Sequence, residues 1–133
     1  MESQTIIHTI ASGKKTLSLE FFPPKSDKAI QQLKESSRDL AKLSPDFVSI
    51  TYGAGGSTRK STFTYAEQLK TDHDYKVMPH LTCVGHSQNE LAEIIQQYQE
   101  AGFKTLMALR GDPQGDSQTF TPHPDGFNTL INS

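Results

Sequence analysis

Four short, largely apolar runs that read as strands return along this chain at a nearly fixed interval. They are LSLEF (17–21), FVSIT (47–51), VMPHL (77–81) and TLMAL (105–109), and their starts lie 30, 30 and 28 residues apart. That interval matches one βα unit, a strand followed by a crossover helix that brings the chain back to lay a parallel strand. The intervening segments carry helical patterns. After the double proline, Ile30, Leu33, Leu40 and Leu43 keep one face of a helix, with Ser26 or Asp27 as its cap. Phe63, Ala66 and Leu69 mark a second helix, opened by Ser57 or Thr58. In the third, Ser87 and Glu90 form a capping box, Leu91, Ile94, Ile95 and Tyr98 form the buried stripe, and Gly102 supplies the stop. Strands alternating with helices in this way predict an α/β fold with a parallel sheet. Two architectures satisfy the pattern: an open doubly wound sheet, or the opening four units of a (β/α) barrel. The closing stretch PDGFNTLINS reads as the entry to a fourth helix.

Length and composition narrow the field. A complete barrel takes about 250 residues, so on that reading the 133 residues hold about half of one. Thirteen Lys and Arg against 15 Asp and Glu leave a net charge of −2 with no basic block, which argues against a nucleic-acid partner. No apolar run approaches the ~20 residues of a membrane span, and the N-terminal stretch MESQTIIHTIASGKK lacks the apolar length and charge order of a signal peptide. A single cysteine, Cys83, excludes an internal disulfide framework and reads as a buried thiol. His73, His80, His86 and His123 show no ligand spacing, so no metal is expected. The expected compartment is the cytoplasm.

In parallel α/β folds chemistry collects beyond the carboxyl ends of the strands. The polar residues there are Glu20, Thr51 with Tyr52, His80 with Thr82, and Arg110 with Asp112. Glu20 sits in SLEFFPPKS, followed by two phenylalanines and two prolines. Either Glu20 is a capped carboxylate at a turn, or, clamped against Phe21 and Phe22, it holds its proton near neutral pH and serves as a general acid. TYGAGGSTRKS (51–61) runs through three glycines into a helix start: by itself a flexible βα loop, or a setting that admits close approach of an anionic ligand. It is not a phosphate-binding Walker loop, for the Gly-Lys-Ser/Thr ending is missing, and it lacks the last glycine of the dinucleotide fingerprint. ALRGDPQGD (108–116) sets Arg110 and Asp112 on either side of Gly111, either to meet a polar ligand or to brace a turn. The same tripeptide occurs in extracellular adhesion ligands, a reading that the missing secretion signal and disulfides disfavour. TFTPHPDGF (119–127) reads as a loop.

Together, LEFFPPK, DFVSITYGAGGSTR, PHLTCVG and ALRGDPQGD resemble the methylenetetrahydrofolate reductase family over residues 17–116. The resemblance implies the (β/α) barrel, with residues 1–133 as the N-terminal half of its reductase domain, 1–15 as an extension and 113–126 as a loop. It implies FAD as cofactor, NADH or NADPH as co-substrate, and conversion of 5,10-methylenetetrahydrofolate to 5-methyltetrahydrofolate. On that footing Glu20 is the acid that protonates the departing folate nitrogen. The flavin contacts fall on Thr51, Tyr52, Ala54, His80, Leu109, Arg110, Gly111 and Asp112, with Asp112 also acting near the flavin ring and the folate. A homo-oligomer is implied for the full-length enzyme, with no nucleic-acid or membrane partner. The chain departs from the family at Gly126–Ile131, where an aromatic-Ala-x-Asp-Leu-Val-like helix start is usual. Strands five to eight are absent, so the alternative expectation is a non-enzymatic half-barrel that self-associates through its sheet edges.

Overall fold

The computed structural model describes residues 5–52, 56–111 and 124–126. Ala54, Asp112, most of the expected 113–126 loop and the expected fourth helix from Phe127 onward lie outside the described residues. Within them the order is α1 (Ile6–Ala11), β1 (Ser18–Phe21), α2 (Asp27–Leu40), β2 (Phe47–Ile50), α3 (Gly56–His73), β3 (Val77–Thr82), α4 (Gln88–Glu100) and β4 (Met107–Leu109). A 3₁₀ turn, Ala41–Leu43, prolongs α2.

The four strands are parallel and lie in the order β1-β2-β3-β4, each beside its neighbour in sequence. A doubly wound sheet reverses its strand order partway and carries helices on both faces. Among the described residues this sheet's order does not reverse, and α3 and α4 pack on the same face. Phe21, Val48, Ile50, Val77 and Leu81 share one face and pack with Ala66 and Leu69 of α3 and Leu91, Ile94 and Tyr98 of α4 in a single core. Ile94 and Tyr98 are 1 % exposed, and burying an aliphatic side chain of that size contributes roughly 1.5–3 kcal/mol. The sheet is therefore singly wound, the arrangement that opens a (β/α) barrel.

Local chemistry accounts for the elements. Ser26, rather than Asp27, caps α2 by accepting from the Ala29 amide. Ser87 accepts from the Glu90 amide as the capping box requires. At the far end of α4, Gly102 adopts φ 88°, its amide bonds the Gln99 carbonyl and the Phe103 amide bonds the Tyr98 carbonyl, a Schellman closure. The Phe103 and Tyr98 rings meet edge-on at 5.3 Å across that closure. Where β1 and β2 begin, the Asp46 amide bonds the Leu17 carbonyl, and the Asp46 carboxylate accepts from the Leu17 amide. Those contacts fix the register Ser18 with Phe47. All six residues of β3 are buried, as expected of a central parallel strand. Pro79 sits where pairing to β2 ends and pairing to β4 begins, so its missing amide is tolerated.

Several expectations shift. Leu43 falls in the 3₁₀ turn rather than on the α2 stripe and is 57 % exposed, because the change of pitch after Leu40 rotates it off the core face. Ile95 is 40 % exposed: the buried line of α4 runs through Leu91, Ile94 and Tyr98, and Ile95 stands at its rim. Helix α3 begins at Gly56, ahead of Ser57 and Thr58. Inside the expected 1–15 extension, Thr5 caps a short helix that buries Ile6 and Thr9. No described helix is long and apolar enough to cross a membrane.

Candidate active site

Side chains alternate across a strand, and register carries that alternation from strand to strand. The pairs Glu20 with Ser49, Ser49 with Met78, His80 with Met107 and Thr82 with Leu109 therefore point away from the helix-packed core onto the sheet's second face. At the carboxyl ends of the strands that face gathers Glu20 from β1, Thr51 just past β2, His80 and Thr82 from β3, and Leu109 from β4. Thr51 is held in place by its amide, which bonds the Phe21 carbonyl, and by its own carbonyl, which accepts from Thr62 of α3.

The Glu20 carboxylate comes within 3.6 Å of His80 Nε2. That is too long for a hydrogen bond but close enough for the two groups to interact electrostatically. Burial pulls the His80 pKa below the ordinary imidazole value, and the Glu20 charge opposes that pull. The ring is consequently neutral near pH 7, and its contact with Glu20 is not an ion pair there. His80 Nε2 and Thr82 Oγ1 are both buried without a hydrogen-bond partner. Two orphaned polar atoms on one face are unusual, since buried polar groups are nearly always satisfied.

The apolar clamp expected around Glu20 is not built. Phe21 turns to the opposite face and joins the core, Phe22 is 67 % exposed, and the Glu20 side chain is 51 % exposed. Alternation along the strand puts consecutive residues on opposite faces, so Phe21 cannot flank the Glu20 carboxyl. Its described titratable neighbour is His80.

Tyr52 is the described candidate that does not join this group. Its ring packs against the helix-side core, and its hydroxyl lies 2.6 Å from His86 Nε2. Burial pushes the Tyr52 phenol up to about 12. His86 Nδ1 in turn stands 3.3 Å from Glu90, whose other oxygen accepts from the Ser87 hydroxyl. These contacts hold the Glu90 carboxyl below its usual range, the His86 bond contributing most. Sequence reasoning gave Glu90 only a capping role and His86 none. The signal that was there is their i, i+4 spacing across the start of α4.

Past β4 the chain stays on the sheet: Cys83 and Val84 donate to the carbonyls of Leu109 and Arg110. Gly111 has φ 92°, and a Cβ there would collide with Val84 Cγ1 and crowd Thr82. Both the backbone angle and the space require glycine. Leu109 and Arg110 are exposed beside it. Cys83 is buried, and burial pushes its thiol up.

A singly wound parallel sheet whose strand ends bring a carboxylate, an imidazole and two hydroxyls to one face defines the opening units of a (β/α) barrel. The chain belongs to the methylenetetrahydrofolate reductase family, whose sequence profile matches residues 5–132. It is 40 % identical over 100 residues to the 5,10-methylenetetrahydrofolate reductase of Pectobacterium carotovorum, covering 75 % of this chain and 34 % of that protein. Against the Escherichia coli 5,10-methylenetetrahydrofolate reductase the figures are 37 % over 107 residues, 80 % and 36 %. Against methylenetetrahydrofolate reductase (NADH) 1 of Zea mays they are 30 % over 124 residues, 93 % and 21 %. The chain thus spans about a third of the length of its bacterial relatives.

Proposed function

We propose that this chain forms the first four βα units of an FAD-dependent reductase domain that converts 5,10-methylenetetrahydrofolate to 5-methyltetrahydrofolate with NADH or NADPH. The observation that carries the reading is the meeting of Glu20 and His80 on the sheet's second face, between residues that lie sixty positions apart in the chain. The relatives' names point to the reaction, and their NADH-named plant members favour a nicotinamide nucleotide as reductant.

The residues present fit a flavin. His80 Nε2 and Thr82 Oγ1 are buried and unpartnered on the face where its ring would lie, and each is completed by one hydrogen bond to a polar ring edge. Thr51, Leu109 and the backbone at Arg110 and Gly111 border the same place; the contacts proposed for Ala54 and Asp112 fall outside the described residues. When bound, FAD supplies the hydride acceptor and donor chemistry. Glu20, half exposed at the end of β1, is placed to take up a proton from solvent and pass it to the folate nitrogen that departs as the five-membered ring opens. Asp112 contributes negative charge that steadies the cationic carbon so produced. Tyr52 serves this site by a different route from the one its place in the motif suggests. Its phenol is anchored to His86, so it contributes a fixed wall and its backbone.

Glu20→Gln, made in the longer reductase that contains this chain, tests the reading. Flavin reduction by the nicotinamide nucleotide is expected to survive, while folate turnover falls about 10²–10⁴-fold, the usual contribution of a general acid. Unchanged folate turnover would remove Glu20 from that role.

A further inference from the structure

Between α3 and α4, on the helix side of the sheet, lies a cleft of about 490 Å³. Its apolar wall is Phe63, Val84 and Ile94, and its polar groups are Arg59, Lys60, His86, Glu90, Gln97 and Tyr98. Two of these are committed elsewhere. His86 uses both ring nitrogens, on Tyr52 and Glu90, and Glu90 uses both oxygens, on His86 and Ser87. The only acid among the described lining residues is therefore already answered by an imidazole and a hydroxyl.

What remains is a set of donors. Tyr98 is 1 % exposed, and its hydroxyl has no hydrogen-bond partner. Tyr98 lines the same cleft as Arg59, and burial pushes its phenol up, which keeps it protonated. Arg59 and Lys60 form no ion pair among the described residues. They stand in the opening turns of α3, whose first turn contains no acid. That is an unfavourable place for cations, because the helix end already carries partial positive charge. Two cations and an orphaned phenol in the lining of one cleft are electrostatically incomplete.

We propose that the α3–α4 cleft is a binding site for a small oxyanion, a carboxylate or phosphate carried on a compact apolar body. Arg59 and Lys60 neutralise the charge, the Tyr98 hydroxyl donates to one oxygen, and Phe63, Val84 and Ile94 receive the apolar part. The site lies in the helix layer and does not rest on the folate reading. Glu20 and His80 are not among its lining residues.

The test is amide and tyrosine-ring NMR of the 133-residue chain titrated with benzoate and, separately, with inorganic phosphate, against sodium chloride at equal ionic strength. Saturable shifts confined to Arg59, Lys60, Gln97 and Tyr98 are expected with at least one probe. Response to benzoate alone assigns a carboxylate on an apolar body, and response to phosphate alone assigns a phosphate; either supports the site. Arg59→Gln is expected to weaken binding about tenfold and the conservative Tyr98→Phe by several-fold, the usual effects of losing a charged and a neutral hydrogen bond. Lys60→Gln takes the place of Arg59→Gln if that variant does not fold. Absence of saturation with both probes, equal shifts with chloride, or binding unaffected by these substitutions would overturn the proposal.

Discussion

Glu20 and His80 form a pair whose protonation can be read directly. The His80 pKa is lowered by burial and raised, less strongly, by the Glu20 carboxylate. Glu20→Gln removes the opposing pull, so the His80 titration midpoint, followed by imidazole NMR, is expected to move further down. An unmoved midpoint would mean that the 3.6 Å approach does not form in solution. The sign for stability follows from the same shift. A histidine whose folded pKa lies below its unfolded value of about 6.5 binds protons more readily when unfolded. Its contribution is intact above about pH 6.5 and declines as the pH falls from there through the folded pKa, and His80→Gln is expected to flatten that part of the acid limb in urea melts. Gly111 is equally specific. Gly111→Ala must take φ 92° and push its Cβ into Val84, and the combined strain and overpacking should cost about 2–4 kcal/mol. The sequence placed Glu20, Thr51 and His80 at strand ends, and the structure brings them to one face. It did not disclose that Tyr52 turns away, because a residue just past a strand end is aimed by its loop and its partner, here His86, as much as by the alternation before it.

Elements were more legible than side-chain partners. The 30-residue beat, the caps at Ser26 and Ser87 and the Gly102 stop are local signals, written within a few positions of where they act, and each appears where it was expected. Two features escaped for physical reasons. Helix α1 has six residues, too few for a periodic stripe to stand out, and depends on packing Ile6 and Thr9 against the rest of the chain. The end of α2 tightens into a 3₁₀ turn, which no hydrophobic pattern announces. The start of α4 carries the most consequence, since the capping box that begins the helix also orients Glu90 toward His86 and, through it, Tyr52. Ser87→Ala is therefore expected to do two things. Loss of the cap should lower stability by about 1 kcal/mol in urea unfolding. The Tyr52 and His86 side-chain resonances should also shift, as Glu90 loses one of the two bonds that orient it. A stability loss without those shifts would reduce Ser87 to a cap alone.

The largest consequences belong to the sheet as a whole. β1 pairs only with β2, and β4 only with β3, so each outer strand has a side left unpaired among the described residues. Phe22 and Leu109, at the carboxyl ends of those outer strands, are exposed apolar side chains. Backbone edges and apolar surface in that combination favour association with another chain, so the sedimenting mass of the 133-residue chain should rise with concentration. The same geometry bears on the proposed flavin. A ring system held at the mouth of a (β/α) barrel is gripped by loops all round the rim, and this chain, at about a third of its bacterial relatives' length, supplies those of four units. Where no further loop meets the ring, ligand surface stays in water and polar groups stay unpaired, while the entropic cost of binding is undiminished. The isolated chain is therefore expected to bind FAD weakly and to oxidise no NADH, as measured by flavin fluorescence titration and nicotinamide absorbance. If it instead purifies as a stoichiometric yellow complex that turns over NADH, the face gathered around Glu20 and His80 is sufficient for flavin chemistry, and the remaining units would serve the folate rather than the cofactor.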